Sequence, residues 1–382
     1  MTVSNDTKKR AKRAKTSNVE VLVEQDNPMA TLQFNSFENN GIANVIPAPQ
    51  KSVQLDLFSQ FVTNDKDQVS NTIDLWELIP KYFLSAEQVK KLRTDDGRLA
   101  KSYEMIYEQD GKLFTVTIQP AQIKEDGEFI AYFPGPTEEL IEEVLKKILA
   151  DEAHAIHLPK KSETWVKFTI RMIHRELKAI GRTRNLDEIK RAITVMNKCN
   201  ISVRDVETNR EMWSGSILPE LFTVNRKEWL SDREAMHAAK LSVFISESIN
   251  KLNYRQINFK RLMSFDGQLS RWIYRRLINR FTNASSVNSY HFKYSTLKSS
   301  GLLQQGKEHH NRQKVIEALD ELVAQDVLKH YTVDPRTEGR KVIEVVYTLY
   351  ASGEFIKEQK AANKRNTDNR LIGQKQGLLA NM

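Results

Sequence analysis

At the start of one predicted helix, Lys307, His309, His310, Asn311, Arg312, Gln313 and Lys314 bring cations, imidazoles and amides together in a single short stretch. Cations of this kind hold phosphate and amides can read base edges in the major groove, so the set is suited to gripping DNA. Glu317, Asp320 and Glu321 make the far end of the same helix acidic, which fits contact through its first turns alone. A second set, Lys190, Arg191, Thr194, Asn197 and Lys198, lies opposite the apolar stripe Ile189, Ala192, Ile193 and Met196 of another predicted helix. A third, Arg271, Arg275, Arg276 and Arg280, sits on a predicted helix over 268–281 with no acid nearby in the chain. Backbone phosphates are the expected partners of some, Arg271 and Arg275 foremost, and acids elsewhere in the fold are those of others. The bland alternative for each set is an amphipathic helix with a solvated basic face.

Enzyme chemistry is weaker wherever it can be tried. Gly301–Lys307 has the spacing of a phosphate-binding loop, but Glu308 stands where a magnesium-holding Ser or Thr is required, and a short helix precedes it in place of a strand. His309-His310-Asn311-Arg312 fits the His-x-x-Arg spacing of tyrosine recombinases, with Arg276 as an earlier arginine and Tyr347 or Tyr350 as nucleophile. Those tyrosines, however, fall in an alternating strand pattern. His154, His157, Asp151 and Glu152 could suggest a metal site, yet no His-hydrophobe-His motif with a nearby tyrosine accompanies them, and helix-end surface residues are the simpler reading. Cys199 is the one cysteine, which leaves no internal disulfide and no cysteine metal site. No enzymatic activity, metal or cofactor is expected.

The two reading helices are embedded in the same order of elements. In the first copy a β-like run at 164–168 leads into a helix with Ile170, Ile173 and Leu177, a turn at Gly181, and a second helix opened by the capping pair Asn185 and Glu188. Strand-like runs Ile201–Val206 and Trp213–Val224 follow. In the second copy a run at 289–293 leads into a short helix over 294–300, a turn with Gly301 and Gly306, and a helix over 309–325 with Val315, Ala318, Leu319 and Leu322 buried. Runs Val327–Val333 and Val342–Tyr350 follow, joined by Asp334-Pro335 and Gly339. Helix, turn, helix and two-stranded hairpin is the winged helix-turn-helix order, and its recurrence suggests two homologous modules. Upstream, Pro134-Gly135-Pro136 precedes a helix with Thr137 as its expected cap and Leu140, Ile141, Val144, Leu145 and Ile148 in its stripe.

The formal net charge is +9, and its placement says more than its total. Residues 1–16 hold six Lys/Arg against Asp6, and residues 357–382 hold six against Glu358 and Asp368. Residues 157–204 hold twelve against four acids and residues 251–315 thirteen against two, so the rest of the chain is strongly acidic. A chain polarised in this way offers a polyanion one positive face. No apolar run approaches the ~18 residues of a membrane span, and the N-terminus has no apolar stretch that could serve as a signal peptide. A cytoplasmic protein with no membrane partner is expected.

The stretches Ser70–Phe83, SNTIDLWELIPKYF, and Phe265–Phe281, FDGQLSRWIYRRLINRF, with the order of the two modules, resemble the plasmid replication initiators called replication protein A, related to TrfA-type initiators. The resemblance covers residues 70–350. It implies binding of double-stranded DNA at direct repeats of an origin, origin melting, contacts with the host initiator and helicase, and a homodimer among the chain's states. A transcriptional repressor on the same winged helices is the alternative, with a tyrosine recombinase behind it. Gln54-Leu55-Asp56-Leu57-Phe58 matches the pentapeptide by which bacterial proteins, such initiators among them, bind the DNA polymerase sliding clamp. Leu57 and Phe58 would anchor in a pocket, Leu55 would add contact and the Gln54 amide would direct hydrogen bonds, all from a leader flexible enough to be captured. The alternative is a short apolar patch docked on the chain's own core.

The expected architecture is α+β, with two winged-helix domains flanked by disordered ends. A basic leader over 1–69 carries the clamp pentapeptide, one winged-helix domain spans 70–240, a second spans 241–355, and a basic flexible tail spans 356–382.

Overall fold

The computed structural model describes residues 51–62, 68–223, 236–303 and 306–379, and the expectation of disorder over 1–50 lies outside them. Helix α1 (Val53–Ser59) opens on Ser52, whose hydroxyl accepts from the Leu55 N–H. Strand β1 (Val69–Thr72), the single-turn helix α2 (Asp74–Glu77) and α3 (Ala86–Leu92) follow, the last fixed by a capping box of Ser85 and Gln88. Two hairpins come next, β2 (Tyr103–Gln109) with β3 (Lys112–Gln119), and β4 (Ala121–Glu125) with β5 (Glu128–Tyr132). Their two-residue turns, Asp110-Gly111 and Asp126-Gly127, adopt the positive φ that such hairpins need. Helix α4 (Pro136–Leu149) begins where the Glu138 carboxylate accepts from the Gly135 N–H, so its cap lies before the expected Thr137.

The first winged-helix unit is built on α4. Strands β6 (Ala155–Leu158) and β7 (Glu163–Phe168) lead into α5 (Ile170–Ala179), a turn at Gly181 (φ +74°) and α6 (Leu186–Lys198), opened by the reciprocal Asn185–Glu188 capping box. Its hairpin is β8 (Asn200–Asp205) with β9 (Glu211–Gly215). The sheet partners are distant ones. β8 pairs with β3 to give the order β2-β3-β8-β9, while β7 joins β6 and the strands β10 (Glu220–Thr223) and β11 (His237–Lys240) in the order β10-β11-β7-β6. The run expected as one strand from Trp213 is thus two strands in different sheets.

Helix α7 (Val243–Asn250), strand β12 (Arg255–Asn258), which pairs with β1, and α8 (Phe259–Ser264) lead to the second unit. There α9 (Gln268–Arg280), β13 (Ser289–Lys293), α10 (Tyr294–Ser299), α11 (Glu308–Ala324), β14 (Leu328–Glu338) and β15 (Lys341–Ala351) form a winged helix with its own sheet, in the order β13-β15-β14. Asp334 and Pro335, expected at the wing turn, lie inside β14. Proline is tolerated there because β14 is an edge strand, and the turn falls at Gly339 (φ +60°).

One apolar core gathers residues from Leu55 to Met263 and another those from Ile257 to Phe355. The expected division at 241 falls inside the first, because Ile245, Ile249, Leu252 and Tyr254 all pack there. Nor are residues 356–375 a flexible tail. Helix α12 (Gly353–Lys375) follows β15, capped by Ser352, with Phe355, Gln359, Ala362, Arg365 and Asn369 buried at helical spacing. That stripe is mostly polar and is held by hydrogen bonds, so hydrophobic periodicity does not reveal it. α1 corrects the flexible leader in the same way: Leu55, Leu57 and Phe58 belong to the first core, and the pentapeptide sits on the chain's own fold.

Candidate nucleic-acid interface

Helix α11 turns Asn311, Val315, Ala318, Leu319 and Leu322 inward, which leaves its other face outward. Lys307, His309, His310, Gln313 and Lys314 are exposed and Arg312 is half-buried. Asn311 is a correction: at 1% exposure it lies beneath the helix, hydrogen-bonded to the Tyr294 hydroxyl, where no base edge can meet it. The His309 and His310 rings lie 3.9 Å apart. Glu308 fixes this first turn to α10 through the Lys298 ammonium and the Tyr294 hydroxyl, and those bonds hold its carboxyl below the usual range. Tyr331 on β14 donates to Asp320 at 2.6 Å and ties the wing to the helix. Beyond that tie the β14–β15 hairpin is exposed at almost every residue, and it carries Arg336, Arg340 and Lys341 at its end. None of these three is among the residues expected from the sequence, although the cluster of Arg and Lys around Gly339 is the signal for them.

The corresponding helix of the first unit is more enclosed. Strand β4 packs along α6, and the Arg191 guanidinium lies over the Tyr132 ring at 5.6 Å. Thr194 donates to the Lys190 carbonyl at 2.9 Å and Asn197 to the Leu218 carbonyl at 2.8 Å, so both side chains are engaged within the unit. Lys190 stands 3.4 Å from Asp187, while Arg191 and Lys198 remain exposed. The turn before α6 is occupied too: Arg182 donates to the Met263 and Ser264 carbonyls at 3.0 and 2.7 Å and pairs with Asp266.

Arg271 and Arg275 depart furthest from expectation. Arg271, 2% exposed, meets Glu139 and the Phe265 carbonyl, both at 2.7 Å. Arg275, 4% exposed, meets Glu139 at 2.9 Å, Glu143 at 3.0 Å and Glu77 at 3.3 Å. Lys146 bridges Glu77 and Glu143, and Glu142 accepts from Trp76 and Tyr82 with Lys81 3.8 Å away. Four carboxylates therefore face four cations between the 77–81 segment, α4 and α9. Burial opposes ionisation of Glu139, but Arg271 and Arg275 outweigh it and hold its pKa at about 2. A buried guanidinium stripped of its carboxylates would be strongly destabilising, so these two arginines are committed to the fold and not to phosphate. Arg276 lies over the Trp272 ring at 5.2 Å, and Arg280 pairs with Asp74 at 2.9 Å.

Of the residues in the enzymatic alternatives, Tyr347 is buried in β15, and burial pushes its pKa up to about 12. Gln304 and Gln305 of the phosphate-loop-like run lie outside the described residues. Among the described residues no three of His, Cys, Asp and Glu are grouped to hold a metal; His157 lies buried between Thr164 and Asn250. Among the same residues no helix is long and apolar enough to cross a membrane.

No family model matches the chain, and no curated protein matches it. Among solved structures, the selenomethionine derivative of domains 2 and 3 of RctB is similar at 11% identity over 69% of this chain and 95% of that one, with a TM-score of 0.41. A second structure of RctB domains 2–3 is 13% identical over 71% of this chain and 97% of that one, with a TM-score of 0.40. The Pi initiator protein in complex with iteron DNA is 14% identical over 57% of this chain and 92% of that one, with a TM-score of 0.41.

Proposed function

We propose that this chain is a non-enzymatic protein that binds repeated sites in double-stranded origin DNA and initiates plasmid replication. The observation that carries the reading is the exposed first turn of α11, where cations flank imidazole and amide groups beside a long basic wing. His310 and Gln313 supply base contacts, and Lys307, Arg312 and Lys314 supply phosphate contacts. Arg336, Arg340 and Lys341 extend the hold along the duplex, and α6 adds the lesser grip of Arg191 and Lys198. Two winged helices joined through a buried ionic seam suit a protein that holds one site at two places. Contacts with the host initiator and helicase, a homodimer and a cytoplasmic location belong to the same reading. Clamp docking through Gln54–Phe58 is its furthest part. With Leu57 at 3% and Phe58 at 0% exposure, α1 must leave the core before a clamp pocket can take it.

A plasmid carrying this gene and its neighbouring DNA should replicate when the gene is intact and fail when it is disrupted. Maintenance without the gene refutes initiation; if the protein still binds that DNA, the repressor reading takes its place.

A further inference from the structure

Helix α1 is held from the opposite end of the chain. Arg365, midway along α12, brings its guanidinium to the C-terminal end of α1, where Nη2 donates to the carbonyls of Leu57 at 3.0 Å and Phe58 at 2.8 Å. Nη1 donates to Oδ1 of Asn71 at 2.6 Å, and the Asn71 amide in turn donates to the Phe58 carbonyl at 2.9 Å. The guanidinium lies over the Phe61 ring at 4.5 Å and the Tyr254 ring at 5.3 Å. One turn on, Asn369 donates to the Leu57 carbonyl at 3.4 Å and to the Tyr254 hydroxyl at 3.3 Å. Among the described residues no carboxylate meets Arg365. Its compensation comes from last-turn carbonyls, where a helix dipole is negative, and from two ring faces. A seven-residue helix is far below the length that is stable alone, and its final carbonyls need donors from outside, so this contact adds to the burial of Leu55, Leu57 and Phe58 in keeping α1 in place.

We infer that Arg365 and Asn369 form a latch by which α12 keeps α1 closed, hiding Leu55, Leu57 and Phe58 from any partner pocket shaped for two adjacent apolar side chains and a glutamine amide. The partner's identity rests on the clamp reading above; the latch does not. Occupancy of the pentapeptide by a partner is then coupled to opening of the latch, and apparent affinity falls with the fraction of open molecules. Positive charge alone does not close it, because the guanidinium makes three directed bonds that an ammonium cannot reproduce in one plane.

The test uses the full chain with Arg365→Ala and Arg365→Lys, read by amide hydrogen exchange and by binding to a purified bacterial sliding clamp. Exchange in residues 53–59 should accelerate by at least about tenfold in both variants while α4 and α11 keep their protection. Unchanged exchange in 53–59, or equal acceleration in α4 and α11, overturns the latch. If 53–59 open and the clamp binds more tightly, with the gain lost on adding Leu57→Ala and Phe58→Ala, latch and clamp reading stand together. If 53–59 open and no clamp binds, the latch stands and the clamp reading falls.

Discussion

Gln313 and Lys314 are neighbours on α11 to which the proposed function gives different work, and substitution separates them. Lys314→Ala or Lys307→Ala should weaken binding to every duplex alike and lower the salt slope by about 1 each, as loss of one phosphate contact does. Gln313→Ala should cost about 1–3 kcal/mol on the preferred sequence and little elsewhere, read by titration against a randomised DNA pool. Uniform loss would remove Gln313 from base reading. A second residue-scale outcome concerns acid. His237 stacks on Phe168 at 5.4 Å, and burial, with the Lys190 charge, lowers its pKa to about 4. The unfolded chain binds that proton near the ordinary value of about 6.5. Stability from this group is therefore complete above that value and is lost as pH falls from about 6.5 towards 4, at no more than about 1.4 kcal/mol per pH unit. Denaturant titrations at pH 7 and pH 5 should find His237→Gln less acid-sensitive than the natural chain. What single residues disclosed was uneven. Asn311 stands four positions before Val315 on the buried stripe, so spacing placed it inside even though its side chain argued for DNA. Arg271 and Arg275 offered no such clue, since the acids that answer them lie at least 132 residues away.

Elements were legible where one face is apolar. The stripe of α6 and its capping pair, and that of α11, appear in the structure close to their expected bounds because local spacing decides them. α12 is not legible in hydrophobic spacing because its inward face is built of Gln359, Arg365 and Asn369, with Phe355 its one large fully buried apolar residue. Phe355 is fully buried beside the Tyr274 and Phe281 rings, so Phe355→Ala should cost about 3–5 kcal/mol in urea unfolding, whereas Lys364→Ala on the exposed side should cost almost nothing. A tail would be indifferent to both. The wing is longer than local sequence suggests for a related reason. Residues 334–338 look like turn in sequence, yet cross-strand pairing with β15 extends β14 to Glu338.

At the level of the molecule, a buried ionic seam is one of the places where the two cores meet. The second unit's leading helix, α9, lays Arg271 and Arg275 against α4, the leading helix of the first, and every carboxylate in that seam has a cation within reach. Sheet partnership is equally non-local: β8 finds β3 across some eighty residues, which no short-range pattern announces. The ionic seam also has a consequence for biosynthesis. A ribosome delivers Glu139 and Glu143 more than a hundred residues before their arginines, so in the nascent first unit Glu139 has no cation to answer it and Glu143 has Lys146 alone. A fragment ending before Gln268 should accordingly gain stability as pH falls through the carboxylate range, the reverse of the acid response of the finished chain, and should mature only once α9 has been translated.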